Sequence, residues 1–134
     1  MQRCIVVADD DPIILELVTL LLGTAHYDVI ATTDAVAAMA MVRTMDPVAV
    51  ILDMHMPGGG GLSALSKIKS DPKTRKLPVM MLTGERDAMT VMQAMDGGAD
   101  DYMLKPFNPD TLAERISRLV SMGEKTPAAA VWEL

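Results

Sequence analysis

At 134 residues the chain has the length of one domain, enough to bury a core without disulfide or metal staples. A net charge of −6 argues against nucleic-acid binding by the domain itself, and the one cysteine, Cys4, excludes a disulfide framework and fits a reducing compartment. No apolar run is long enough to cross a bilayer and no secretory signal opens the chain, so a cytoplasmic protein without membrane attachment is the expectation.

Residues 3–8 form a short apolar run, expected to be the first strand, and three carboxylates follow it, Asp9, Asp10 and Asp11. Pro12 suits the first turn of a helix and Asp11 its N-cap; Ile13, Leu17, Leu20 and Leu21 then repeat at helical spacing to about Thr24. Tyr27–Thr32 reads as the second strand, its Thr32-Thr33 end assigned to capping, and Asp34 as the cap of a helix reaching about Met45. Residues 48–52 are apolar and rich in β-branched side chains, a strand covered on both faces that stops at Asp53. A loop over Pro57–Gly61 and a short helix over Leu62–Lys69 come next. The fourth strand spans Pro78–Thr83 and the fourth helix Asp87–Asp96, stopped by Gly97-Gly98. Asp100–Leu104 is the fifth strand, closed by Lys105-Pro106, and Asn108 or Asp110 caps a last helix whose core stripe is Leu112, Ile116, Leu119 and Val120. Beyond about Gly123 periodicity is lost; residues 1–122 are read as the folded domain and 123–134, with Trp132, as a tail or linker. With one Trp, two Tyr and one Phe, the thirteen methionines are expected to fill much of the interior.

Strands alternating with helices imply right-handed crossovers and a parallel sheet covered on both sides, an α/β fold. In such a sheet every strand ends at one edge, where ligands and chemistry collect. The polar residues at those ends are Asp9 and Asp10, Asp53, Thr83 and Lys105. Three carboxylates together raise one another's pKa unless a cation sits among them, and an all-oxygen donor set at an open rim favours Mg²⁺ over Zn²⁺. Asp53 is then a poised oxygen nucleophile, and a phosphoryl group arriving there meets the metal, the Lys105 ammonium and the Thr83 hydroxyl. The residues describe a phosphoryl-accepting aspartate.

The ordered set Asp9-Asp10, Asp53-x-x-Met56-Pro57, Thr83-Gly84 and Lys105-Pro106-Phe107 resembles the receiver domain of two-component response regulators over residues 3–122. The resemblance implies a flavodoxin-like three-layer sandwich, with a five-stranded parallel sheet of order 2-1-3-4-5 and five helices. It implies phosphorylation of Asp53 by a histidine kinase or a histidine phosphotransfer protein, in a Mg²⁺-dependent reaction that the receiver itself catalyses together with its autodephosphorylation. By the same carry-over Asp9, Asp10 and Asp53 hold the metal with the backbone carbonyl of His55, and Lys105-Pro106 is a cis bond. Thr83 and Tyr102 act as the switch, read out on the face formed by the fourth helix, fifth strand and fifth helix.

The chain also departs from that pattern. Gly58–Gly61 replaces a bulkier sequence with a single Gly, and a mobile loop ordered by metal, phosphate or a partner is the expectation. His55 and Glu85 flank the mouth of the site and are expected to set the autodephosphorylation rate. Arg115 and Asp100-Asp101 match the charged dimer pattern of DNA-binding members, whereas Val91, Thr111 and Ser117 replace charges, leaving a homodimer of that kind or an apolar output surface at Met89, Val91, Met92 and Met95. Alternative functions are a haloacid dehalogenase-like phosphohydrolase, disfavoured because position 55 is His where the second Asp would stand, a cofactor binder on the same topology, and a phosphorylation-independent interaction module.

Overall fold

The structure is a computed structural model in which residues 3–124 are described. Five strands and five helices alternate: β1 (Cys4–Ala8), α1 (Pro12–Thr24), β2 (Asp28–Thr32), α2 (Ala35–Met45), β3 (Ala49–Leu52), α3 (Gly60–Ser70), β4 (Val79–Thr83), α4 (Ala88–Asp96), β5 (Asp101–Leu104) and α5 (Pro109–Glu124). The strands pair in parallel in the order β2-β1-β3-β4-β5. The expected flavodoxin-like sandwich is the observed one.

Strand side chains alternate between faces, and the core divides accordingly. Val6, Ala8, Val50, Leu52, Val79 and Met81 turn to one side and pack with α2, α3 and α4. Ile5, Val7, Ala49, Ile51, Met80 and Leu82 turn to the other, against α1 and α5. β3 and β4 are buried on both faces, and their sequences are apolar throughout apart from Thr83 at the end of β4.

The caps follow the short polar residues. Asp11 accepts from the Ile13 N–H at 2.9 Å, and Asp34 from that of Ala37 at 2.7 Å. Asn108, rather than Asp110, caps α5 by accepting from the N–H groups of Asp110 and Thr111. Thr32 does not cap; its hydroxyl donates to the Val7 carbonyl across β1 and β2 at 3.2 Å.

Two further expectations are corrected. The α1 repeat of Ile13, Leu17 and Leu20 faces solvent, these residues being 73%, 41% and 63% exposed, while Leu15, Val18 and Leu22 enter the core. α3 starts at Gly60, inside the glycine run. The methionines divide: Met39, Met54, Met56, Met80, Met81 and Met103 are buried, and Met45, Met89, Met92, Met95 and Met122 are exposed. Cys4 is half-buried, its thiol pKa raised by burial and by Asp28 and Asp46. No helix among the described residues is long and apolar enough to cross a membrane, and Trp132 lies outside the described residues.

Candidate functional site: an acidic strand edge

Strand register assembles the site. Ala8 lies opposite Leu52, so Asp9 and Asp53 leave the sheet side by side. The Asp53 N–H donates to the Ala8 carbonyl at 3.0 Å and the Asp9 N–H to the Thr32 carbonyl at 3.1 Å, which fixes both backbones. Thr83 lies opposite Leu104, and the Lys105 N–H donates to the Thr83 carbonyl at 2.9 Å, placing Lys105 one residue beyond the sheet on the neighbouring strand. The Lys105-Pro106 bond is cis.

The side chains converge. Lys105 Nζ donates to Asp9 Oδ2 at 2.5 Å and to Asp53 Oδ2 at 3.2 Å. Asp9, Asp53 and Thr83 are buried, whereas Asp10 is exposed. Burial pushes the Asp9 carboxyl up, against the lowering effect of Lys105 and the Asp11 N–H, and Asp53 adds to the rise. Burial pulls Lys105 down, but its bond to Asp9 and the charge of Asp53 outweigh this and hold the ammonium above its ordinary value. Oxygen atoms of Asp9, Asp10 and Asp53 lie within 4.8 Å of one another. One ammonium faces three carboxyl groups, and Asp10 offers oxygens that no described side chain engages. Charge, donor chemistry and the open rim fit a hard divalent cation held through these three carboxylates.

The glycine loop is built against this edge. Gly58, Gly59 and Gly60 have φ of +84°, +107° and +77°, a region that side chains avoid. Gly61 has an ordinary φ but no space: a Cβ there would stand 2.2 Å from the Asp53 carbonyl oxygen. The loop is pinned at both ends, by Ala35 N–H donating to the Pro57 carbonyl and Gly61 N–H to that of Met54, each at 2.9 Å.

Across the mouth, His55 Nε2 and Glu85 Oε1 are 2.8 Å apart, joining the loops after β3 and β4. The Glu85 carbonyl accepts from the Tyr102 hydroxyl at 2.7 Å, so the half-buried Tyr102 is tied to the same loop. Burial, then Glu85 and Asp53, raise the Tyr102 pKa, keeping the phenol a donor. The Thr83 hydroxyl accepts from the Glu85 N–H at 3.4 Å.

Three contacts had no signal in the sequence, their partners being far apart in it. The Tyr102–Glu85 bond is one. Another is Lys69, whose ammonium donates to Asp100 at 3.0 Å and to the carbonyls of Leu77 and Arg75. The third is Arg115, which grips Asp101 of the same chain with two bonds of 2.6 and 2.9 Å. The charges matching the dimer pattern, Asp100, Asp101 and Arg115, are thus satisfied within one chain.

The fold and the edge define the class: a flavodoxin-like sandwich with an acidic, lysine-bridged end. Residues 5–117 match the response regulator receiver domain, and the chain belongs to that family of two-component systems. It is 34% identical over 128 residues to the DNA-binding response regulator MtrA of Mycolicibacterium smegmatis, covering 96% of this chain and 55% of that protein. It is 33% identical over 126 residues to the DNA-binding dual master transcriptional regulator RpaA of Synechocystis sp., covering 94% and 52%. The chain thus spans about half the length of these relatives. Among solved structures it resembles a CheY-like receiver domain protein from Methanospirillum hungatei JF-1, with a TM-score of 0.87 and 26% identity over 93% of this chain and 98% of that one. It also resembles the BeF3-activated DrrB receiver domain, with a TM-score of 0.79 and 30% identity over 90% and 99%.

Proposed function

We propose that this receiver accepts a phosphoryl group on Asp53 from a histidine kinase or a histidine phosphotransfer protein, with Mg²⁺ held by Asp9, Asp10, Asp53 and the His55 carbonyl. The convergence of Asp9, Asp10 and Asp53 around Lys105 carries this reading. A carboxylate oxygen of Asp53 attacks the donor phosphorus; the nitrogen–phosphorus bond breaks, the electron pair stays on the donor imidazole, and an acyl phosphate forms on Asp53. Mg²⁺, when bound, neutralises charge on the phosphoryl oxygens and the carboxylates. Lys105 follows the charge from the carboxylate to the phosphoryl group, and Thr83 supplies a hydroxyl donor from the next strand.

The new bond to Thr83 biases a two-state element that includes Tyr102 and is read on the α4–β5–α5 face. Exposed Met89, Met92 and Met95 make the α4 part of that face apolar and adaptable, suiting an output partner or a second copy. Residues 1–122 act as the receiver and 123–134 as a tail or linker toward whatever the receiver controls. The domain itself binds no nucleic acid and works in the cytoplasm.

Incubation with acetyl phosphate and Mg²⁺ is expected to add one phosphoryl group, acid-stable and base-labile, seen as a single mass increment. Asp53→Asn abolishes it and chelation of the metal suppresses it. An unmodified parent chain, or an adduct that persists in Asp53→Asn, overturns the proposal.

A further inference from the structure

Helix α4 buries little of itself. Of its nine residues only Ala94 is fully enclosed, with Thr90 and Val91 half-buried. Met89, Met92 and Met95 are 69%, 61% and 43% exposed, and none of them belongs to either half of the core. Each step of three residues turns a helix by about 300°, so the three side chains share one face within roughly 120° of arc. The fold does not ask for methionine at these positions, because Leu, Gln, Glu or Lys forms an exposed helix as readily. What sets methionine apart from those residues is its thioether, a soft sulfur open to two-electron oxidants.

The sulfur atoms near the acidic edge are shielded by contrast. Met54 and Met56 border the cleft beside Asp10 and His55, yet both are buried, and Met80 and Met81 in β4 are wholly enclosed. The half-buried Cys4 donates its thiol to the Met45 carbonyl at 3.5 Å. Burial, with Asp28 and Asp46 nearby, disfavours the thiolate through which a cysteine would compete for oxidant. Met45 and Met122 are exposed one at a time, on α2 and α5. Among the described residues, α4 is the element that gathers exposed thioethers on one face.

We infer that Met89, Met92 and Met95 form a reversible oxidation site, at which hydrogen peroxide converts the apolar face of α4 into a polar one. A sulfur lone pair attacks one peroxide oxygen, the O–O bond breaks, and the sulfur gives up two electrons as the sulfoxide forms. The other oxygen leaves as hydroxide and becomes water by taking the remaining proton. A thiol-dependent sulfoxide reductase reverses the step: two thiols become one disulfide, the thioether returns, and the oxygen departs as water. Each sulfoxide replaces a flexible apolar tip by a strong hydrogen-bond acceptor, so a surface that suits an apolar contact ceases to do so. The consequence for signalling rests on the reading of α4 as part of the output face; the chemistry does not. Asp53 stays competent throughout, because the methionines around it are enclosed.

The test exposes the full chain to dilute hydrogen peroxide, maps sulfoxides by mass spectrometry of its peptides, and follows retention on a phenyl column. Met89 and Met92 are expected to oxidise about tenfold or more faster than Met80 and Met81, and the oxidised chain to elute earlier. Treatment with both epimer-specific methionine sulfoxide reductases and a dithiol restores the parent elution. Met89→Leu/Met92→Leu/Met95→Leu keeps the face apolar and the urea midpoint unchanged, and loses most of the peroxide-induced shift. The inference is overturned by equal oxidation rates at exposed and buried methionines, by a triple variant that shifts as far as the parent, or by a shift the reductases leave in place. Acetyl phosphate labelling that oxidation abolishes also overturns it, since the oxidant then acts at the acidic edge. The sulfoxide map is read without phosphorylation, so it stands or falls separately from the reading of Asp53.

Discussion

Gly61 is the residue on which the geometry of the acidic edge depends most directly. A methyl group there would meet the Asp53 carbonyl oxygen at 2.2 Å and Met81 Cε at 2.9 Å, so the backbone of the proposed acceptor has to move to admit it. Gly61→Ala is expected to cost about 3 kcal/mol, read from the urea midpoint, and to weaken Mg²⁺ binding. A variant that keeps the parent midpoint shows that the loop yields freely. The sequence displayed four glycines in a row without distinguishing them. Three are there for their backbone angles and the fourth for lack of space, and only the approach of α3 to the end of β3 separates these reasons.

At the scale of elements, the His55–Glu85 pair matters because it joins the loops after β3 and β4, and the second loop also holds Tyr102. The side chains are 72% and 37% exposed, so their attraction is worth no more than about 0.5 kcal/mol and leaves overall stability unchanged. The same energy applied to water access at an acyl phosphate is a factor of about two in rate. His55→Ala and Glu85→Ala are each expected to change the half-life of phosphorylated Asp53 by about that factor, with the double variant resembling either single one. Parent-like half-lives in both single variants remove the pair from the mechanism. Strands, helices and caps were legible because apolar runs, Asp11, Asp34 and the glycine stops are local signals. α1 misled because it is apolar almost throughout from Ile13 to Leu22, so two stripes satisfy the helical period and only contact with the sheet chooses between them. The converging site residues were legible because a parallel sheet places every strand end at one edge; their bonds to one another, and Lys69 with Asp100, were not, since nothing local encodes a pairing across 31 residues.

For the molecule as a whole, the face that α1 leaves open becomes informative. Ile13, Leu17 and Leu20 form an exposed apolar stripe beginning one turn after Asp9–Asp11, beside the rim where the proposed phosphodonor would approach. Interrupted by one exposed carboxylate, Glu16, this apolar surface suits the packing of another helix, the element on which a donor histidine is expected. Replacing Leu17 and Leu20 by Glu is expected to leave labelling by acetyl phosphate unaltered and to slow transfer, by about tenfold or more, from any histidine kinase that phosphorylates the parent chain. Equal transfer rates place the docking face elsewhere. The exposed side chains make the variant a test of contact and not of folding.

Lys105 has one more consequence. Its ammonium lies 2.5 Å from Asp9 and 3.2 Å from Asp53, an internal counter-ion that the chain carries wherever it goes. In proteins whose ligands are assembled by the ion itself, losing the metal means losing the fold. Here the repulsion that would splay the strand ends is already met by a covalently attached charge. Architecture and ion occupancy are therefore separable, and under the proposed Mg²⁺-dependent phosphorylation the concentration of free divalent cation would govern what this domain reports without governing whether the domain exists.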